Sequence, residues 1–124
     1  MLKQLAGMPA GTVGFQAIGK VDDDDFEHAV EPVLRGEVAA GRKLRLLYLL
    51  GPELSEYDGD TLGEEMKFAA RHPTSYERVA VVSDEDWLRP ALRVLSVLVP
   101  GQLRAFPVAQ LAEARDWLSP DETT

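Results

Sequence analysis

The sequence predicts an α/β fold in which helices cover a mixed, mostly parallel sheet. Two nearly continuous apolar runs, 44-LRLLYLL-50 and 78-RVAVVS-83, have the composition of strands that are buried on both faces. Helical patterns precede and follow these runs, so strands and helices alternate along the chain, as in α/β proteins. Residues 2–6 and 12-TVGFQAIGKV-21 are predicted to form an antiparallel pair at one edge of the sheet, joined by the turn 7-GMPAG-11.

Length and composition limit the class of protein. The 124 residues are enough for one domain, which we expect over residues 1–119, with residues 120–124 as a flexible tail. A net charge of −8 disfavours nucleic acid as a partner, because such binding depends on neutralising phosphates with cationic side chains. The chain has no cysteine, which fits a cytoplasmic location. No apolar run approaches the roughly 20 residues that span a bilayer, so we expect no integral membrane segment.

The first helix is predicted over 22-DDDDFEHAVEPVLRGEVAAG-41, where apolar residues recur at helical spacing. Its leading aspartates suit the first turn of a helix, where carboxylates accept hydrogen bonds from free N–H groups and oppose the positive end of the helix dipole. The run lacks the spacing of a calcium loop, so we interpret it as a helix cap rather than a metal site. Pro32 lies inside the pattern and predicts a kink or break there.

The loop 51-GPELSEYDGD-60 is the first candidate for a binding site. It follows a predicted buried strand, and ligands of open α/β sheets often bind beyond the carboxyl ends of such strands. A short helix, 61-TLGEEMKFAARHP-73, comes next, with Asp60 or Thr61 as its cap. Free N–H groups at that helix start would suit an anion, but the acidic side chains of the loop would repel one. An ordinary acidic surface loop is the alternative interpretation.

The stretch 84-DEDWLRPALRVLSVLVPGQLRAF-106 is the second candidate. It predicts a helix over residues 87–99 that is capped by Ser83. On a helical wheel the apolar residues of this helix span roughly 220°, which is more than contact with one sheet requires. Either the last predicted helix, 107-PVAQLAEARDWLS-119, or a partner should cover the surplus. The candidate interaction or ligand surface consists of Trp87, Val94, Val97 and Leu98.

Motifs of catalysis and cofactor binding are missing from the sequence. Neither GxGxxG nor GxxxxGK[ST] occurs, and no serine lies in GxSxG. The two histidines, His28 and His72, match no metal-ligand spacing. We therefore expect a protein that is not an enzyme and that carries no cofactor or metal.

The segment 78-RVAVVSDEDWLRPALRVLSVLVPGQLRAFPVAQLAEARDWL-118 resembles the C-terminal half of the SpoIIAA-like proteins of the STAS superfamily. The shared pattern is a buried strand, an acidic cap, a tryptophan, an apolar helix, a strand that ends in Phe-Pro and a helix that ends in Ala-x-x-Trp-Leu. The N-terminal strand and residues 44–50 are similar as well, so the resemblance covers nearly the whole chain. It implies a four- or five-stranded mixed sheet with helices packed against it, related to the CRAL-TRIO lipid-carrier fold.

The resemblance also implies a place for a regulatory switch. In the anti-sigma factor antagonists of this superfamily, a phosphorylatable serine follows the central strand at the start of a helix. That place is filled here by five residues without a serine: Tyr57, Asp58, Gly59, Asp60 and Thr61. Thr61 carries the only hydroxyl near the expected position, so a switch would act by phosphorylation of Thr61.

Two functions are consistent with these patterns. The first is a non-enzymatic interaction or regulatory module that acts through protein contacts, either with another protein or by self-association as a homodimer. The alternative is a carrier or sensor of a lipid or other apolar small molecule, held between the sheet and the helix over residues 87–99. The first predicts an apolar surface that stays exposed on this helix, and the second predicts an apolar cavity beneath it.

Overall fold

The structure is a computed structural model that describes residues 1–119, so the tail expected at 120–124 lies outside the described residues. The strands in this part of the chain are β1 Leu2–Gln4, β2 Val13–Ala17, β3 Gly19–Val21, β4 Leu44–Leu50, β5 Leu54–Tyr57, β6 Tyr76–Ser83 and β7 Gln102–Phe106. The α-helices are α1 Asp23–Asp25, α2 Glu31–Ala39, α3 Gly59–Arg71, α4 Leu88–Leu98 and α5 Leu111–Leu118. The predicted α/β class is confirmed.

The central sheet has five strands in the order β1-β2-β4-β6-β7. β1 runs antiparallel to β2, with Leu2 opposite Ala17, whereas the other neighbouring strands are parallel. The antiparallel edge pair and the mostly parallel sheet are therefore both confirmed. β4 and β6 lie inside the sheet, with Leu46 opposite Val79, because their apolar sequences can be buried on both faces.

A second sheet of two strands differs from the prediction. The predicted strand over residues 12–21 divides at Ile18 into β2 and β3, and β3 pairs in parallel with β5. Gly19 has a φ angle of 62°, a conformation that glycine adopts readily, at the point where the chain passes from one sheet to the other. β5 lies within the predicted loop 51–60 and was missed because its sequence, LSEY, lacks the alternation of a half-buried strand.

The first helical segment runs through Pro32 without a break. It begins with a capping box, in which the Asp25 N–H donates to Asp22 Oδ1 at 3.2 Å and the Asp22 N–H donates to Asp25 Oδ2 at 2.9 Å. This confirms the interpretation of the aspartates as a cap. A π-helical turn, Phe26–Val30, separates α1 from α2, and Pro32 follows directly in the first turn of α2. The disturbance expected at the proline therefore takes the form of a wider helical turn just before it.

The two faces of the central sheet have separate cores. The first face packs against the π turn, α2, α3 and α4, and the second face packs against α5. Successive side chains of a strand point to opposite faces of the sheet. Leu46 and Leu47, which are neighbours on β4, therefore belong to the first and the second core respectively. The second core consists of Leu47, Leu49, Ala80, Val82, Phe106, Ala114 and Leu118.

The last helix does not cover α4, contrary to one of the two expectations for it. α5 packs against β4 and β6 on the second face, whereas α4 contributes to the first core. Two arginines fix the end of α5, because the Arg45 guanidinium donates to the Leu118 carbonyl at 2.8 Å and that of Arg78 donates to the Trp117 carbonyl. The sheet lies between α5 and α4, so the outer side of α4 has no cover from this helix.

Candidate functional site

A cavity of about 60 Å³ lies between the first face of the sheet, α3 and α4. It has room for a few water molecules, since one water needs roughly 10–15 Å³. Its wall is mainly aliphatic and aromatic, and β4, β6, α3 and α4 all contribute to it. The aromatic residues in the wall are Phe26, Tyr48, Tyr57, Tyr76 and Trp87.

Glu65 is the charged residue in this wall, and it was not predicted as a site residue. It lies on α3 four residues after Thr61 and three and four residues before Phe68 and Ala69, all of which are buried. Residues at these spacings share one side of a helix, so Glu65 faces the core and is partly buried. The spacing was the sequence signal that could have found it: an acidic residue within the apolar stripe of an amphipathic helix.

The carboxyl group of Glu65 is held by Tyr57, the last residue of β5. The Tyr57 hydroxyl oxygen lies 2.7 Å from both Glu65 Oε1 and Glu65 Oε2. A phenol donates one proton, whereas a carboxylate can accept about four hydrogen bonds. The carboxyl group therefore keeps acceptor capacity beyond its bond with Tyr57.

The apolar surroundings change the acid–base properties of the site. Burial raises the pKa of Glu65 to about 7, because the charged form loses its hydration, while hydrogen bonds from Tyr57 and Tyr48 oppose this effect. Burial, followed by the nearby Glu65 charge, also raises the pKa values of Tyr48, Tyr57 and Tyr76. Near neutral pH the carboxyl group is thus divided between its two protonation states, and the three hydroxyls stay protonated.

The five predicted switch residues are not all at the cavity, and Tyr57 alone among them contributes to its wall. Asp58 caps α3, because its Oδ1 accepts from the Asp60 N–H at 2.9 Å, so the cap lies earlier than the predicted Asp60 or Thr61. Gly59 and Asp60 are exposed in the first turn of α3. Thr61 is fully buried, so its phosphorylation would require that turn to open, and the switch stays a prediction.

The four predicted residues of the α4 surface also divide into groups. Trp87 reaches the cavity, where its ring centroid lies 5.5 Å from that of Tyr57. Val94 and Val97 point away from it and are 53% and 85% exposed, whereas Leu98 is partly buried against the first core. The structure thus brings together Tyr57 and Trp87, one residue from each predicted set.

The start of α4 differs from the prediction. The Ser83 hydroxyl accepts from the Glu85 N–H at 3.0 Å and closes a turn after β6, so it does not cap the helix. The helix begins only at Leu88, which is also its only buried residue. Other α4 residues of the cavity wall, including Leu92 and Leu95, are only partly buried. α4 is therefore the wall of the cavity that can move with the smallest loss of buried apolar surface.

Residues 1–119 contain neither a metal-binding cluster nor a membrane-spanning helix. No group of three or more His, Asp or Glu side chains is arranged there to hold a metal ion. Nor is any helix in this range both long enough and apolar enough to cross a membrane. The cavity itself combines one carboxyl group, phenolic hydroxyls and aromatic rings, which can bind a small molecule through hydrogen bonds and ring contacts.

Comparisons with known proteins agree with this fold. The crystal structure of an uncharacterized protein from the DUF3478 family with a SpoIIAA-like fold, from Shewanella loihica PV-4, is similar with a TM-score of 0.71. The two sequences are 22% identical, and 95% of each chain is covered, so the likeness shows the fold. No protein with a curated description matches this chain. The model of the SpoIIAA-like family matches residues 12–119, which confirms the resemblance seen in the sequence. The chain therefore belongs to the SpoIIAA-like family.

Proposed function

We propose that the protein is a non-enzymatic module that binds an apolar small molecule in the cavity between the central sheet, α3 and α4. The observation that carries this proposal is the Glu65 carboxyl group in an otherwise apolar and aromatic cavity wall. A buried carboxyl group beside a void reduces stability, whereas a well-packed aliphatic side chain would not. Contact with a ligand explains why both the acid and the void are present.

The ligand needs more room than the cavity now has. Sites for drug-sized ligands have volumes of roughly 300–1,000 Å³, and the cavity has about 60 Å³. Outward movement of α4 would supply the difference, since this helix has shallow burial and contacts mainly α3 and β7. The proposal is therefore a site that is partly formed in the free protein and widens as the ligand enters.

Native mass spectrometry of the purified protein tests whether a ligand is retained. We expect a population with added mass that disappears after denaturation and refolding. The refolded protein should then bind the neutral dye N-phenyl-1-naphthylamine, with energy transfer from Trp87, whose ring lies in the cavity wall. A clean apoprotein mass together with no dye binding would contradict the proposal.

A matched pair of variants locates the dye. Ala91 lies on α4 in the cavity wall, so Ala91→Phe should fill the cavity and weaken dye binding. Ala112 is exposed on α5, on the other side of the sheet, so Ala112→Phe should leave dye binding unchanged. Equal effects of the two substitutions would show that the dye binds elsewhere.

The second candidate function is interaction through protein contacts, in the form of self-association. It is supported by the outer side of α4, where Val94 and Val97 are 53% and 85% exposed. Apolar side chains grouped on one side of a helix favour association when a second copy covers them. The two functions use different sides of α4, so each can be tested alone.

Sedimentation velocity over a range of concentrations tests self-association. We expect a dimer that dissociates in Val97→Lys, because this substitution places a charge at the exposed apolar centre of the surface. Ala112→Lys, on exposed α5, is the control and should leave the distribution unchanged. A wild-type protein that is monomeric at every concentration would eliminate this candidate.

A further inference from the structure

We propose that the cavity selects an organic ammonium ion, with the cationic nitrogen at Glu65 and the apolar body under α4. This inference rests on the proposed function, since it names the chemical class of the ligand in the same cavity. It depends on the charge balance of the cavity wall, on the free acceptor capacity of Glu65 and on the aromatic rings around it.

The charge of Glu65 has no partner within the cavity. Lysine, arginine and histidine are all missing from the residues of the described chain that line it. The hydrogen bonds from Tyr57 and Tyr48 leave further acceptor positions of the carboxyl group free and bring no positive charge. An ammonium group would supply both a countercharge and further N–H donors, and charge-assisted hydrogen bonds of this kind are stronger than neutral ones.

The aromatic rings of the wall favour the same ligand class. Tyr48, Tyr57, Tyr76 and Trp87 all contribute to the wall, and the rings of Tyr57 and Trp87 are 5.5 Å apart. The faces of such rings attract a cation that lies within about 6 Å of the ring centre. The carboxyl group and the aromatic rings around it thus both stabilise a positive nitrogen, the first as a countercharge and the second through their ring faces.

Ligands with other polar groups suit the cavity less well. A carboxylate ligand would place a second negative charge beside Glu65, and one of the two groups would have to take up a proton to bind. An alcohol could donate one hydrogen bond to Glu65 but would leave the carboxylate charge unbalanced. The expected order of affinity for ligands with the same alkyl chain is therefore amine, then alcohol, then carboxylate.

The protonation of Glu65 makes this selectivity depend on pH. The titratable groups that face Glu65 are the hydroxyls of Tyr48, Tyr57 and Tyr76, which stay protonated at neutral pH, and the charge of Asp25 acts on Tyr57. An alkylamine also stays protonated, since the comparable lysine side chain has a pKa of about 10.4. Amine binding should thus strengthen from pH 5 to pH 8 as Glu65 loses its proton.

Isothermal titration calorimetry with octylamine, octanol and octanoate tests the inference on the whole chain. At pH 8 we expect octylamine to bind roughly 10- to 100-fold more tightly than octanol, the size of effect that a hydrogen bond to a charged group produces. Octanoate should bind most weakly. The preference for octylamine over octanol should shrink at pH 5, and this comparison requires no substitution.

Two neighbouring acids provide the matched variants. Glu65→Gln should remove the preference for octylamine over octanol, since the neutral amide carries no charge that could pair with an ammonium group. Glu64→Gln makes the same chemical change at a residue that pairs with Lys67 outside the cavity wall, and it should keep the preference. Equal binding of the three probes, or tighter binding of octanoate, would overturn the ammonium inference while cavity binding stands. If none of the three probes binds, the proposed function itself fails.

Discussion

The two faces of the central sheet are packed in different ways. The second face has one short helix, α5, yet its core consists of apolar side chains, with Ala80, Val82 and Leu118 buried. The first face has three helical segments and still contains a cavity with a carboxyl group in its wall. The face with more covering helices is therefore not the more uniformly apolar one.

This difference in packing suggests different roles for the two faces: the second face supplies stability, and the first face can bind a ligand. On the second face the arginine contacts to the end of α5 hold this helix tightly against the sheet. On the first face α4 has one buried residue and an exposed outer side. A helix with such shallow burial can move at small energetic cost, which a site that must admit a ligand requires.

Adjacent leucines on β4 provide the strongest test of this difference. Leu47→Ala, on the second face, should lower the free energy of unfolding by about 3–5 kcal/mol. Leu46→Ala should cost about 1 kcal/mol less, because the Leu46 side chain borders the cavity and already lacks neighbours on one side. Urea denaturation of both variants measures the difference, and equal losses would mean that the first face is packed as tightly as the second.

The pH dependence of stability tests the buried acid. Folding raises the pKa of Glu65 from 4.5 to about 7, so the folded protein holds a proton that the unfolded chain releases. The associated stability is present below pH 4.5 and is lost as the pH rises to about 7. Glu65→Gln should therefore be more stable than the wild type by about 2–3 kcal/mol at pH 8 and nearly equal to it at pH 5.

Chemical denaturation at several pH values between 5 and 8 measures this effect. Glu64→Gln is the control, and its stability should follow that of the wild type across the range. If the unfolding free energies of Glu65→Gln and the wild type changed with pH in the same way, the carboxyl group would be hydrated. The two faces would then not differ by a buried acid.

The arginine contacts to α5 should contribute a smaller amount to the free energy of unfolding. Arg78→Met removes the hydrogen bond to the Trp117 carbonyl and the stacking of the guanidinium over the Trp117 ring at 5.2 Å. We expect a loss of about 1–2 kcal/mol in unfolding free energy. Arg71→Met, at an exposed position in the last turn of α3, should change it by less than about 0.5 kcal/mol. Thermal unfolding of the two variants measures both losses, and a loss in Arg71→Met as large as that in Arg78→Met would contradict the prediction.

The smallest effect is expected on the outer side of α4. Val97 is 85% exposed, so Val97→Lys should change the free energy of unfolding by no more than about 0.5 kcal/mol. Urea denaturation at low protein concentration, where self-association does not contribute, measures it. A larger loss would indicate that Val97 is covered in the folded protein, contrary to its exposure in the structure.

Much of the fold was predictable because the relevant information is local. The apolar runs of β4 and β6 identify strands that are buried on both faces, and the aspartates before Phe26 identify a helix start. The site was less predictable. Tyr57 and Trp87 were each predicted in a candidate set, but no local pattern shows that their rings meet 5.5 Å apart.

The amino-acid sequence alone accounts for most of the element types, the family and the edge strand, because periodicity, capping and apolar runs act over a few residues. The tertiary structure decided which side of the sheet α5 covers, how β3 and β5 pair, and which acid of the Glu64–Glu65 pair faces the cavity. These outcomes depend on contacts between residues that are distant in the chain. Burial of Glu65 in particular requires β5, β6 and α4 together, since the groups that exclude water from it come from all three.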